Sequence, residues 1–248
     1  MSEFERKCVV VTGASSGIGW HAARLFALAG ARVLAHYNRN REGAESLAAE
    51  GNVAAVQADL PESAGIEPLR SAVASHLGGR VDVLVNNAGS LVQRRRFLEL
   101  DEALWDTVFA LNLKSAYLCS RAFLPGMLER GDGAIINVSS IAGRNGGGLG
   151  AIAYASAKGG MITFTKGLAR EFSPRGIRVN CVAPGTIDTN YHKAFSTQQM
   201  LDAVVAGTPA GRLGRPEECA EVILFLASTR SSFITGETIE VNGGFLMD

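Results

Sequence analysis

Seven short apolar runs, separated by segments of helical pattern, set the rhythm of this chain. The runs are CVVVT (8–12), RVLAHY (32–37), VAAVQA (53–58), VDVLVN (81–86), AIINVS (134–139), RVNCVA (178–183) and TIEVN (238–242). They are rich in β-branched residues and nearly continuous in apolar character, the pattern of strands covered on both faces. Segments 18–29, 42–50, 64–77, 102–129, 154–173 and 216–228 carry amphipathic helical spacing. Such β-α-β alternation leaves few architectures. Parallel strands need a crossover, and the crossover helices must cover the sheet. The expectation is one doubly wound α/β domain over residues 1–248, with about seven parallel strands and helices on both faces. No linker, low-complexity tract or repeat divides the chain. A hydrophobic content of 47% against 19% charged residues suits a core of that size.

Other features exclude function classes. There are 24 basic and 24 acidic residues, so the net formal charge is zero. That argues against a nucleic-acid footprint spread over the domain. The start, MSEFERKCVV, lacks the apolar core of a signal peptide. No apolar run reaches the ~18 residues of a membrane span. Cys8, Cys119, Cys181 and Cys219 lie far apart in apolar surroundings, as small buried hydrophobes of a reducing compartment do. His21, His36, His76 and His192 are scattered too, so no metal site is expected. The default location is the cytoplasm, with no membrane or nucleic-acid partner.

The first run leads into TGASSGIG (12–19) and then a helical segment. A glycine-rich turn at a helix start suits a phosphate. Gly13 permits a tight turn. Gly17 and Gly19 let backbone approach a pyrophosphate, and Ser15 and Ser16 add hydroxyl donors. The free N–H groups and positive dipole end of the helix complete the site. The second run tests which dinucleotide fits. An acid at its end holds a ribose 2′-hydroxyl, whereas basic residues suit a 2′-phosphate. Here HYNRNRE (36–42) offers Asn38, Arg39 and Arg41 and no acid before Glu42. NADP(H) is favoured, and NAD(H) stays open. Asp59, ending the third run, is a hydrogen-bond acceptor for an adenine amino group.

Tyr154 and Lys158 in YASAK share one face of a helix, as residues four apart do. A free phenol has a pKa near ~10, and a neighbouring ammonium lowers it. Thr186 to Pro216 breaks the strand-helix rhythm after the sixth run, where ligands bind in such sheets. Residues 186–216 are a candidate substrate lid, or else a plain surface excursion.

TGASSGIG, NNAG (86–89), Asn112, Ser139-Ser140, YASAK and Pro184-Gly185 occur in this order along nearly the whole chain. Together they resemble the short-chain dehydrogenase/reductase family. PAGRLGRPEE and FITGETIEVNGG are most similar to its 3-oxoacyl-acyl-carrier-protein reductase branch. The resemblance implies a Rossmann-type fold and an NAD(P)-dependent oxidoreductase that interconverts a carbonyl and a secondary alcohol. It implies Tyr154 as proton donor or acceptor, Lys158 beside it and on the cofactor ribose, and Ser140 on the substrate oxygen. Asn112 would hold a water near the lysine. Ile18, Leu60, Asn86, Ala88 and Gly89 join the cofactor-binding set, with Pro184, Gly185, Ile187 and Thr189 around the nicotinamide. The family commonly forms homotetramers.

Two stretches depart from the plain acyl reductase pattern. GRNGGGLGA (143–151) is slightly longer than in that branch and very rich in glycine. VQRRRF (92–97) sets three arginines beyond the fourth run, where a carrier protein, a substrate carboxylate or solvent would meet them. The substrate is thus a small carbonyl or alcohol compound, with a carrier-bound acyl chain as one form. A sugar or uronate-derived keto acid is the alternative. A non-catalytic cofactor-binding protein is the reading from another class. Arg175 resembles a basic position used for carrier docking.

Overall fold

The computed structural model describes residues 3–247. Among them, the strands are β1 (Cys8–Val11), β2 (Arg32–Tyr37), β3 (Val53–Gln57), β4 (Val83–Asn86), β5 (Gly133–Val138), β6 (Ile177–Pro184) and β7 (Thr238–Val241). They form one parallel sheet in the order β3-β2-β1-β4-β5-β6-β7. The helices are α1 (Gly17–Leu28), α2 (Arg41–Ala48), α3 (Ile66–Leu77), α4 (Glu102–Phe109), α5 (Ser115–Arg130), α6 (Ala142–Asn145), α7 (Ile152–Phe172), α8 (Asn190–Phe195), α9 (Gln198–Gly207) and α10 (Pro216–Ala227).

The two faces of β1 show why its run is unbroken. Successive side chains alternate across a strand. Val9 and Val11 join a core with Phe26 of α1 and Ile223 and Leu226 of α10. Val10 joins the opposite core, with Leu69 and Val73 of α3 and Phe123 and Met127 of α5. Each such side chain contributes about 1.5–3 kcal/mol on burial. A polar residue at any of these positions would therefore be costly.

The chain leaves β1 toward β2 and β3, then returns to pair β4 on the other side of β1. Connections diverge above β1 and β4, and ligands bind in the crevice at such a switch point. Two departures from the sequence pattern matter for the site. The segment 102–129 is not one regular helix: a π-helical turn, Ala110–Lys114, separates α4 from α5. Asn112 stabilises the turn, donating to Val108 O at 2.9 Å and to Ser90 O at 2.7 Å. Helix α7 begins at Ile152, so Tyr154 stands in its first turn.

Candidate active site

The loops after β1 and β4 are tied to each other. Thr12 Oγ1 accepts from the backbone N–H groups of Asn87 and Ala88, each at 3.0 Å. Asn87 Nδ2 donates to Thr12 O at 2.9 Å and Gly13 O at 3.0 Å. Gly13 has φ +65°, and a Cβ there would lie 2.9 Å from Ala88 Cα. Only glycine meets both demands. Below it, Gly13 N–H donates to Nδ1 of buried His36 at 3.1 Å, while His36 Nε2 faces Ala58 O at 3.0 Å. That pairing puts the ring proton on Nε2, and burial lowers the imidazole pKa.

Gly17 then opens α1. Ser16 is the N-cap residue, yet no side chain caps the helix and no acid stands in its first turn. Ser16, Gly17 and Ile18 line a cleft of about 460 Å³. The exposed helix start and glycine backbone thus fit a pyrophosphate, through unspent N–H donors and the helix dipole. Thr189 closes over the turn: its methyl carbon lies 3.2 Å from where a Gly17 Cβ would stand.

Tyr154, Lys158 and Ser140 line the same cleft. The Ser140 and Tyr191 hydroxyls hydrogen-bond to the Tyr154 phenol, and both interactions favour the phenolate. Ser139 is used otherwise, donating to the Lys158 carbonyl at 2.7 Å. The Lys158 side chain is buried, with Nζ 5.8 Å from the centre of the Tyr154 ring and donating to Val138 O at 2.7 Å. Burial pushes the ammonium pKa down to about 8. Gly89 packs in the gap between Asn112 and Lys158: a Cβ there would lie 2.6 Å from Asn112 Oδ1 and 3.1 Å from Lys158 Nζ.

The ammonium alone does not set the state of the phenol. The Tyr154 pKa is raised, not lowered, because burial outweighs the hydrogen bonds from Ser140 and Tyr191. The lysine charge is turned to a carbonyl and does not win. In the protein by itself the phenol holds its proton.

Ala88, Pro184, Gly185 and Ile187 also line the cleft. Gly185 N–H donates to Val241 O at 2.9 Å, and Ile187 bridges to Gly214. Helices α8 and α9 form the far wall of the cleft, with Tyr191, His192, Met200 and Leu201 facing it. Other expected residues stand elsewhere. Asn38, Arg39 and Asp59 are exposed beyond the ends of β2 and β3, and Asn38 Nδ2 donates to Asp59 Oδ1 at 3.3 Å. Arg41 is held by Glu45 at 2.7 Å, whereas Arg39 forms no ion pair among the described residues. Leu60 is a core side chain. Asn86 points into the interior and donates to Asn137 Oδ1 at 2.9 Å and Ser120 Oγ at 3.2 Å. Gly19 is buried, and a Cβ there would collide with Asn87 and Gly13 O. Ser15 accepts at its backbone O from Asn40 Nδ2 at 3.0 Å.

A family model described as enoyl-(acyl carrier protein) reductase matches residues 13–246. The chain belongs to the short-chain dehydrogenase/reductase family. It is 43% identical to the 3-oxoacyl-acyl-carrier-protein reductase FabG of Vibrio cholerae serotype O1, over 98% of both chains. It is 39% identical to FabG of Escherichia coli K12, covering 98% of this chain and 99% of that one. A crystal structure described as ribose-5-phosphate isomerase from Brucella melitensis 16M superposes with a TM-score of 0.91. It is 37% identical, with 99% of this chain and 94% of that one covered. A nicotinamide dinucleotide is the cofactor class of this family.

For this short-chain dehydrogenase/reductase, sequence reasoning missed three residues that shape the site. Asn87 clamps the glycine turn, His36 supports it from below, and Tyr191 bonds the phenol. Asn87 lies within NNAG (86–89). His36 stood out only as a basic residue inside an apolar strand. Tyr191 gave no signal, since it reaches Tyr154 only because α8 folds back over the cleft.

Proposed function

We propose that this chain is an NADP(H)-dependent reductase of the 3-oxoacyl type, converting a 3-oxo group to a secondary alcohol. The observation that carries the reading is the grouping of Ser140, Tyr154 and Lys158 in one cleft with the uncapped glycine turn. When bound, the nicotinamide supplies the hydride. The residues do the rest. Ser140 orients the carbonyl oxygen, as a fixed donor toward developing negative charge does. Tyr154 delivers its proton to that oxygen. Its raised pKa keeps the phenol loaded for this role at neutral pH, so the free site is prepared for reduction. Lys158 holds its charge 5.8 Å from the centre of the phenol ring and would hold the cofactor ribose. Asn112 fixes the π-helical turn and, through Ser90, the loop that follows β4.

The names of the similar reductases favour a carrier-linked 3-oxoacyl substrate. Arg39, with no carboxylate partner among the described residues, suits a 2′-phosphate and supports NADPH over NADH. Aldose isomerisation, the activity named for the similar crystal structure, has no net hydride transfer and leaves the glycine turn and Arg39 without a role. Residues 186–216 act as the lid over the cleft. Four copies associate through α4, α5, α7 and β7, where exposed Tyr117 and Phe233 lie on or beside these elements.

The test is Tyr154→Phe, assayed by NADPH oxidation with an acetoacetyl thioester. Turnover should fall by at least roughly 10²–10⁴-fold, the usual value of a general acid, while the NADPH dissociation constant stays within about twofold. Turnover close to wild type would overturn the assignment.

A further inference from the structure

Among the described residues, those lining the cleft include no Asp or Glu, yet they include two permanent or near-permanent cations, Lys158 and Arg94. Lys158 belongs to the proton-transfer group. Arg94 has no role in it, and the rest of its arginine run behaves differently: Arg95 and Arg96 are exposed, while Arg94 is half-buried and turned to the cleft. Its Nε donates to Phe195 O at the end of α8 at 2.8 Å, and its Nη1 donates to Leu149 O at 3.0 Å. These two bonds span from the loop after β4 to the lid and to the glycine run. Gly150 makes the approach feasible, since at φ +75° its Cβ would lie 3.3 Å from Arg95 N and 3.4 Å from Arg94 Cβ. Arg95 N–H donates to Gly150 O at 3.1 Å and fixes the pairing.

A clamp between carbonyls needs donors, not a charge. A neutral amide would serve and would avoid desolvating a cation. Arg94 nevertheless keeps a guanidinium here, and it forms no ion pair among the described residues. A half-buried guanidinium without a carboxylate partner can take up a counter-ion. With two of its five N–H groups spent, the fork has donors left for an oxyanion. Its field acts on Tyr191 and His192, and Tyr191 bonds the Tyr154 phenol. Its partners at the end of α8 and in the glycine run place it on the wall of the cleft that α8 forms.

We propose that Arg94 is a specificity-determining residue that makes the substrate pocket select a carbonyl compound carrying an anionic group, carboxylate or phosphate, near the reacting carbon. This rests on the reductase reading for its hydride and proton chemistry, and it favours an anionic carbonyl compound over the neutral carrier-linked thioester as substrate. Two pairs of probes separate the sources of the anion: acetoacetate with methyl acetoacetate, and dihydroxyacetone phosphate with dihydroxyacetone. Turnover with NADPH and binding by thermal shift with NADP+ are measured for wild type, Arg94→Gln and Arg94→Lys. Glutamine keeps a donor for the loop carbonyls, and lysine keeps the charge.

In wild type, the anionic member of at least one pair should be preferred by roughly ten- to a hundredfold, the range of a charge-assisted hydrogen bond. Arg94→Gln should bring that ratio near one, and Arg94→Lys should retain part of it. No anion preference in either pair overturns the proposal. So does a ratio unchanged in Arg94→Gln while both members weaken together, which would mark a loop clamp only. A fall in NADPH affinity with the ratio intact would assign Arg94 to the cofactor and overturn it as well. If no carbonyl compound is turned over but the anion preference in binding persists, the reductase reading fails and the anion site stands.

Discussion

Lys158→Met should make the protein more stable at neutral pH while removing its activity. Lys158 is 2% exposed, and burial moves its pKa from the ordinary 10.5 to about 8. At ~1.4 kcal/mol per pH unit, that drop corresponds to about 3 kcal/mol of cost for keeping the ammonium in the folded state. The folded protein holds this proton less tightly than the unfolded chain. The cost is therefore fully present below pH 8 and fades as pH rises from about 8 toward 10.5. Methionine has a similar length and no charge, so it escapes the cost. It also leaves Val138 O without the bond from Nζ, a loss of about 1 kcal/mol. The net gain near pH 7 is about 2 kcal/mol. In a chain of this length, each kcal/mol moves the melting temperature by about 2–4 °C.

Thermal unfolding of both proteins, at one protein concentration and at pH 7 and 9.5, reads this directly. The variant should melt roughly 4–8 °C above wild type at pH 7 and close to it at pH 9.5. The lost hydrogen bond is a constant offset, so the narrowing between the two pH values isolates the ammonium. A variant less stable at pH 7, or a difference that does not change with pH, would refute the burial argument. The retention of such a costly cation fits a trade of stability for function.

Two substitutions test the cofactor side. Gly13→Ala places a Cβ 2.9 Å from Ala88 Cα at φ +65°. It should lower the melting temperature and weaken NADPH binding by more than about tenfold, since backbone strain of 1–3 kcal/mol falls on the loop that cradles the phosphates; a fluorescence titration checks it. Arg39→Ala should weaken NADPH by about tenfold, the worth of a charge-assisted bond to phosphate, and leave NADH binding as it was; equal affinities of wild type for the two cofactors would contradict the role.

The strands were legible because burial on both faces leaves few substitutes for β-branched residues, and the runs therefore matched to within two residues at each end. The glycine turn was legible for a similar reason: at Gly13, no side chain fits between the turn and Ala88. Asn86 and Asn87 show where such reading stops. Both are asparagines of one motif, but Asn86 pairs in register with Asn137 and is drawn into a buried polar chain, while Asn87 lies past the strand end and reaches the turn. The alternation of side chains decides between them only once the last residue of β4 is known. The π-helical turn around Asn112 was hidden because one extra residue scarcely disturbs an apolar stripe. Electrostatics was hidden for a deeper reason. Helical spacing shows that Lys158 neighbours Tyr154, but a pKa depends on the water both groups lose and on what else bonds them. Val138 O takes the ammonium, and Tyr191 arrives from a helix 37 positions further along. The identity of a reacting group thus follows from local pattern, while its protonation state is set by partners that only the folded chain assembles.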